Sequence, residues 1–162
     1  MIEPAPRLSS VYKGWNRHHH LLRETVSSLA ADQLALRAAP HLRSISELAA
    51  HVIAVRARCL YYVLEEGEGI LADLVRWDRT DAAVRTVPGL LSGLDRTWQV
   101  LQDGLSRWRS TDLEDILQGE KEGVTYSSTR QWVIWHMLEH DLHHAGELSL
   151  TLGMHGGVGL DL

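Results

Sequence analysis

The chain has 162 residues, enough for one domain with a substantial core and no need of disulfides. Hydrophobic residues make up 44% and charged residues 23%, as in ordinary soluble domains, and the single cysteine excludes both an intramolecular disulfide and a multi-thiolate zinc finger. A formal net charge of −5 with scattered basic residues speaks against nucleic-acid binding, which requires Lys and Arg gathered on one face.

Met1 to Pro6 shows no apolar run behind a basic segment, so no signal peptide is expected. No window approaches the roughly 18 apolar residues of a membrane helix, and the expectation is a cytoplasmic protein of one domain, residues 1–162, with no membrane partner. Val11, Trp15, His18, Leu22, Val26 and Leu29 recur at helical spacing and predict a first helix from about Leu8 to Ala31. A second helix begins at Ser44-Ile45-Ser46-Glu47, a capping box in which Ser44 closes orphan amides and Glu47 reaches back. Its stripe runs through Leu48, Val52, Val55 and Cys59 and ends near Gly67. Ile70 to Trp77 suggests a short extra helix, and the whole segment is long enough for a crossover connection.

A third long helix follows Pro88, with Leu91, Leu94, Trp98, Leu101, Leu105 and Trp108 on one face. The stretch from Ser110 to Ser127 is polar, carries Gly119 and Gly123, and reads as a loop with at most one turn of structure. A second capping box, Ser128-Thr129-Arg130-Gln131, opens a fourth helix that runs to about Leu152, before Gly153. No segment alternates as a strand would. The expected fold is all-α, a four-helix bundle with any cofactor site between facing helices.

Ten histidines mark the chain, and the fourth helix holds His136, His140, His143 and His144. Residues four apart share a helix face, so His136, His140 and His144 form a stripe whose ends lie about 12 Å apart along the axis. Imidazole nitrogens bind zinc-like ions at about 2.0–2.1 Å, so only an adjacent pair can reach one ion and another ligand must come from elsewhere. Val133, Met137, His140, His144 and Leu148 make an inward line that favours 140 and 144. His51, between Leu48 and Val52 on the second helix, is the best outside candidate. A buried imidazole needs partners, and a metal satisfies one nitrogen while a carboxylate or carbonyl takes the other.

Ser44 to His51, the run His140-Asp141-Leu142-His143-His144-Ala145-Gly146-Glu147, Trp15-Asn16-Arg17 and the helix order together resemble the DinB/YfiT-like superfamily of metalloenzymes, over nearly the whole chain. The resemblance implies a three-histidine site of His51, His140 and His144 holding one divalent metal ion, zinc or nickel foremost. Glu147 stands where the family often has Gln, and Ala145 where Arg is common. Three imidazoles leave positions open for water or substrate, the mark of a catalytic site. Relatives in the superfamily imply a thiol-dependent transferase or isomerase using a low-molecular-weight thiol such as mycothiol or bacillithiol, in a homodimer. Metal-dependent hydrolysis is the alternative enzyme reading, and a structural metal in a binding or sensor module the non-enzymatic one.

The remaining candidates have plainer readings. At least one of His18, His19 and His20 must face solvent, with His18 set for core or rim packing. His136 and His143 are expected to pack or orient a neighbour. Asp141 and Glu147 could orient imidazoles but read first as exposed helix charges. Cys59 lies roughly 12 Å along the helix from His51, too far to share an ion, and reads as a buried structural thiol. The tryptophans at 98, 108, 132 and 135 are expected in the core or at an oligomer interface, and His155 in solvent.

Overall fold

The computed structural model describes residues 7–79, 85–121 and 124–161. The molecule is mostly helical. Leu8–Val11 (α1) and Lys13–Ser27 (α2) replace the single first helix expected, because the chain breaks at Tyr12 and Val11 turns out to solvent. A 3-10 turn follows at Ala31–Ala35. Ile45–Arg58 (α3) starts where the capping box placed it: the Ser44 hydroxyl accepts from the Glu47 amide at 3.3 Å, and the Ser44 amide donates to Glu47 at 2.7 Å. That second bond is the first cause holding the Glu47 carboxyl below its usual range.

Ten of the fourteen α3 residues are buried, alanines among them on several faces. A helix apolar nearly all round must be enclosed, and α3 packs against both Val87–Arg107 (α4) and Arg130–Met154 (α5), while α2 lies on α4 and α5. The helix continues through a π-helical turn, Cys59–Val63, and the chain leaves it with left-handed backbone at Glu65 and Gly67. Cys59 is half-buried against the core rather than fully enclosed.

Ile70 to Trp77 is a run of turns, not a helix. Its amides bond three residues back, Leu74 to Leu71 at 2.9 Å and Trp77 to Leu74 at 3.1 Å, and buried Leu71, Leu74 and Val75 pin it to the core. The position it delivers, Asp78, matters below. The stretch expected to be a loop with one turn of structure does hold a turn, 3-10 over Ser110–Glu114, but the rest is two antiparallel strands, Ile116–Lys121 (β1) and Val124–Thr129 (β2), in register from Ile116 opposite Thr129 to Lys121 opposite Val124. β-Branched and aromatic residues in β2 outweigh the glycines. Gly119 has a positive role: a Cβ there would strike the Tyr126 ring, which crosses the ladder to donate its hydroxyl to the Tyr62 carbonyl at 2.9 Å. β2 runs directly into α5, and the cap falls one residue later than expected, on the strand's last residue Thr129, whose hydroxyl accepts from the Trp132 amide. α5 then carries Gly153 inside its last turn and ends at Met154. Among the described residues no helix is long and apolar enough to cross a membrane.

Candidate metal centre

α3 and α5 face each other along their buried sides, and this brings His51, His140 and His144 together, with one ring nitrogen of each within 4.8 Å of the others. His51 and His140 approach each other Nε2 to Nε2 at 3.1 Å, and the His140 and His144 ring centroids lie 4.3 Å apart. The orientation of two rings is fixed from outside. His51 Nδ1 lies 2.7 Å from Asp78 and His144 Nδ1 lies 2.6 Å from Glu147. An ionised carboxylate only accepts, so each Nδ1 carries the proton and donates it. That tautomer leaves the Nε2 lone pairs of His51 and His144 free to ligate.

Asp78 is itself gripped. Arg58 donates to both its oxygens, at 2.8 and 2.9 Å, and also to the Val75 carbonyl. Burial alone would raise the Asp78 carboxyl, but the hydrogen bonds from Arg58 and His51 win and hold it well below the usual carboxylate range. All three histidines are pushed the other way from a protonated state. Burial lowers His140 to about 3, helped by its two neighbouring imidazoles. Burial also lowers His51 and His144, against the opposing pull of Asp78 and Glu147 respectively. Neutral imidazole is the form that binds a metal.

The closely spaced pair fits a divalent ion. Two nitrogens held at about 2.0–2.1 Å from one ion lie about 2.9 Å apart at a right angle and about 3.3 Å apart at the tetrahedral angle. The observed 3.1 Å falls between these. Among the described residues His140 Nδ1 is buried without a partner, so the ring gains nothing from its other side. A cavity of about 420 Å³, lined by His136, Glu139, His140 and His143, opens on the His140 side and gives access from solvent. His143, His144 and Glu147 form a second possible group, but His143 is largely exposed and Glu147 is already engaged by His144.

A scan against family models matches residues 15–148 to the DinB superfamily. The chain belongs to that superfamily. A DinB-like protein from Bacillus cereus has a similar structure, with a TM-score of 0.70 at 15% identity, over 93% of this chain and 93% of that one. A DinB-like protein from Bacillus subtilis gives 0.62 at 16% identity, over 94% and 96%. At such identities the likeness concerns the fold. No curated protein matches the chain by sequence.

The other histidines of this DinB-superfamily chain have separate places. His136 stacks on exposed Trp132, and His155 bonds the Arg37 carbonyl at the surface. His18 and His19 are both buried in the core, leaving His20 as the exposed member of the run. Trp98 and Trp108 are core residues, whereas Trp132 and Trp135 lie on the surface. Asp141, expected to be exposed, is fully enclosed and paired with Arg56. Asp78 was invisible to sequence reasoning, since it sits in an aperiodic segment 27 residues from the histidine it serves. A carboxylate holding a ligating imidazole is commonly worth 10–100-fold in metal affinity. Asp78→Asn is therefore expected to weaken zinc binding about 10–100-fold in a chelator competition titration, with helical circular dichroism unchanged.

Proposed function

We propose that the chain binds one divalent metal ion, zinc or nickel, through His51, His140 and His144, on the four-helix bundle characteristic of its family. On this reading it is a metal-dependent enzyme that uses a low-molecular-weight thiol as an S-transferase or isomerase. The observation that carries the metal half is the 3.1 Å approach of two Nε2 atoms in a site whose outer nitrogens are tied to Asp78 and Glu147. The thiol half is supported by resemblance to the thiol-dependent members of the superfamily.

A bound divalent ion there would supply Lewis acidity, lowering the pKa of water or a thiol that joins it. The chain's own contribution is preparation. Burial keeps the three rings neutral at pH 7, so an ion bound there releases no net proton from them, and His140 needs only to shift its own from Nε2 to Nδ1. Asp78 and Glu147 lock two tautomers, and the cavity beside His140 admits a small molecule.

The test is metal content by plasma mass spectrometry on protein purified without a histidine tag, followed by thiol consumption with an activated electrophile. About one ion per chain is expected, with thiol consumption lost on chelation and restored by zinc or nickel. Full occupancy with no thiol consumption, but a large fall in melting temperature on chelation, would replace the enzyme with a metal-stapled binding module. No ion, even after reconstitution, would overturn the proposal outright.

A further inference from the structure

Two cavities adjoin the carboxylates that hold the histidines, and their linings differ in kind. One, of about 460 Å³, is walled largely by Ala38, Leu42, Leu48, Leu150 and Thr151, with Glu147 at its edge. The other, of about 320 Å³, carries Arg37, Arg43, Arg79 and Arg85 with Glu47 and Asp78. They share His41, Leu42 and Arg43, so they form one groove with an apolar half and a cationic half. The groove reaches the histidine centre through that centre's own carboxylates. Asp78, bonded to His51, lines one half, and Glu147, bonded to His144, lines the other.

The charges in the cationic half do not cancel. Glu47 is taken by Arg37 at 2.8 Å, and Asp78 by Arg58 and His51. Among the described residues this leaves Arg43, Arg79 and Arg85 without an ion-pair partner, in a chain whose formal net charge is −5. Arg85 Nε is buried and has no hydrogen-bond partner among the described residues. A buried guanidinium nitrogen without an acceptor is costly, and the planar fork suits a carboxylate or phosphate. Burial accordingly pushes the Arg85 guanidinium down, against the pull of Glu47 and Asp78. Arg43 is close enough to the centre that its charge disfavours protonation of both His51 and His144.

We propose that Arg43, Arg79 and Arg85 form an oxyanion subsite beside the three histidines, so that the molecule acted on carries a carboxylate or phosphate at one end and an apolar portion lying over Leu42, Leu48 and Leu150. This names the substrate class of the site described above and rests on reading the three histidines as its reactive centre. An acidic protein gains selectivity this way: long-range repulsion turns most anions away, and the local surplus of guanidinium retains those whose apolar end also fits.

The test is isothermal calorimetry with hexanoate, hexyl phosphate and 1-hexanol on metal-free and zinc-loaded protein, comparing wild type with Arg43→Gln, Arg85→Gln and Arg85→Lys. At least one anion should bind about tenfold or more tightly than hexanol, in the metal-free protein as well. Hexanoate or hexyl phosphate as the tighter of the two assigns the carboxylate or the phosphate. Both glutamine variants should lose that advantage while binding hexanol as wild type does, Arg85→Gln should also bind zinc as wild type does, and Arg85→Lys should restore part of the advantage. Anion binding that persists with the arginines removed, or that occurs only when zinc is present, would overturn the subsite by assigning the anion to the metal. Absence of zinc binding with anion binding intact would instead overturn the metal centre and leave the subsite standing.

Discussion

Replacing His51 or His140 by Ala is expected to lower zinc affinity by more than about a hundredfold, exceeding the 10–100-fold typical of losing a ligand's outer partner. Among the described residues two groups of side chains could hold an ion, and they share His144. His144→Ala therefore cannot tell them apart, whereas His51→Ala and His140→Ala touch only the α3–α5 group and His143→Ala touches only the other. The burial and tautomer arguments favour the first group: its three rings are half-buried to buried, kept neutral, and in two cases held by a carboxylate. His143 is mostly in solvent, where it pays more in side-chain entropy to hold a ligand geometry. Competition with a chromophoric chelator should show His143→Ala within about threefold of wild type. A large loss in His143→Ala with none in His51→Ala would move the metal to the exposed group and with it the whole reading of the site.

The histidines were legible because helix geometry is rigid enough to argue from. His140 and His144 share a face by their spacing, and Leu48 and Val52 bracket His51 on the side of α3 that turns inward. The Ser44–Glu47 box is equally local, closing within four residues, and it was read correctly. What escaped was whatever depends on a long-range partner. Asp78 comes from a string of turns with no periodicity to project it. The β1–β2 pairing was hidden by Gly119, whose purpose appears only once Tyr126 is seen lying over it. Asp141 looked like an exposed helix charge by residue type alone. A signal was present in α3, where Arg56 stands among Ile53, Ala54, Val55 and Ala57, all buried. A cation in the middle of an apolar run demands an anion, and Asp141 on the facing helix was the one to find.

That enclosed pair sets the last expectation. Arg56 and Asp141 are both fully buried, joined by Nη2 to Oδ2 at 2.7 Å and by Nε to the two carboxylate oxygens at 3.0 and 2.9 Å. Trp15 donates its indole N–H to the same Asp141 at 2.7 Å, and Arg56 Nη1 donates to His19 Nδ1 at 3.3 Å. Asp141→Asn should destabilise by about 3–5 kcal/mol, because it leaves a buried guanidinium uncompensated. At roughly 2–4 °C per kcal/mol for a domain of this size, the melting temperature should fall on the order of 10 °C. Arg56→Met combined with Asp141→Leu should recover most of that loss, since apolar pairs often replace buried ion pairs at little cost; a double variant no better than the single would show that shape, not charge, is at stake. The same network makes stability depend on acid. His19 accepts from Arg56 and stacks on Trp98 at 4.4 Å, so its Nδ1 must stay unprotonated, and burial followed by the Arg56 charge lowers its pKa to about 2. Below about pH 6.5 the unfolded chain therefore binds a proton that the folded chain refuses. Stability is fully present above that pH and is lost as pH falls toward 2, by up to about 1.4 kcal/mol per unit from this residue. In urea titrations of metal-free protein between pH 6.5 and 4.5, His19→Phe keeps the stack on Trp98 and removes the titration, so its stability should decline less steeply by up to that slope. Parallel declines for wild type and variant would place the acid sensitivity in other groups.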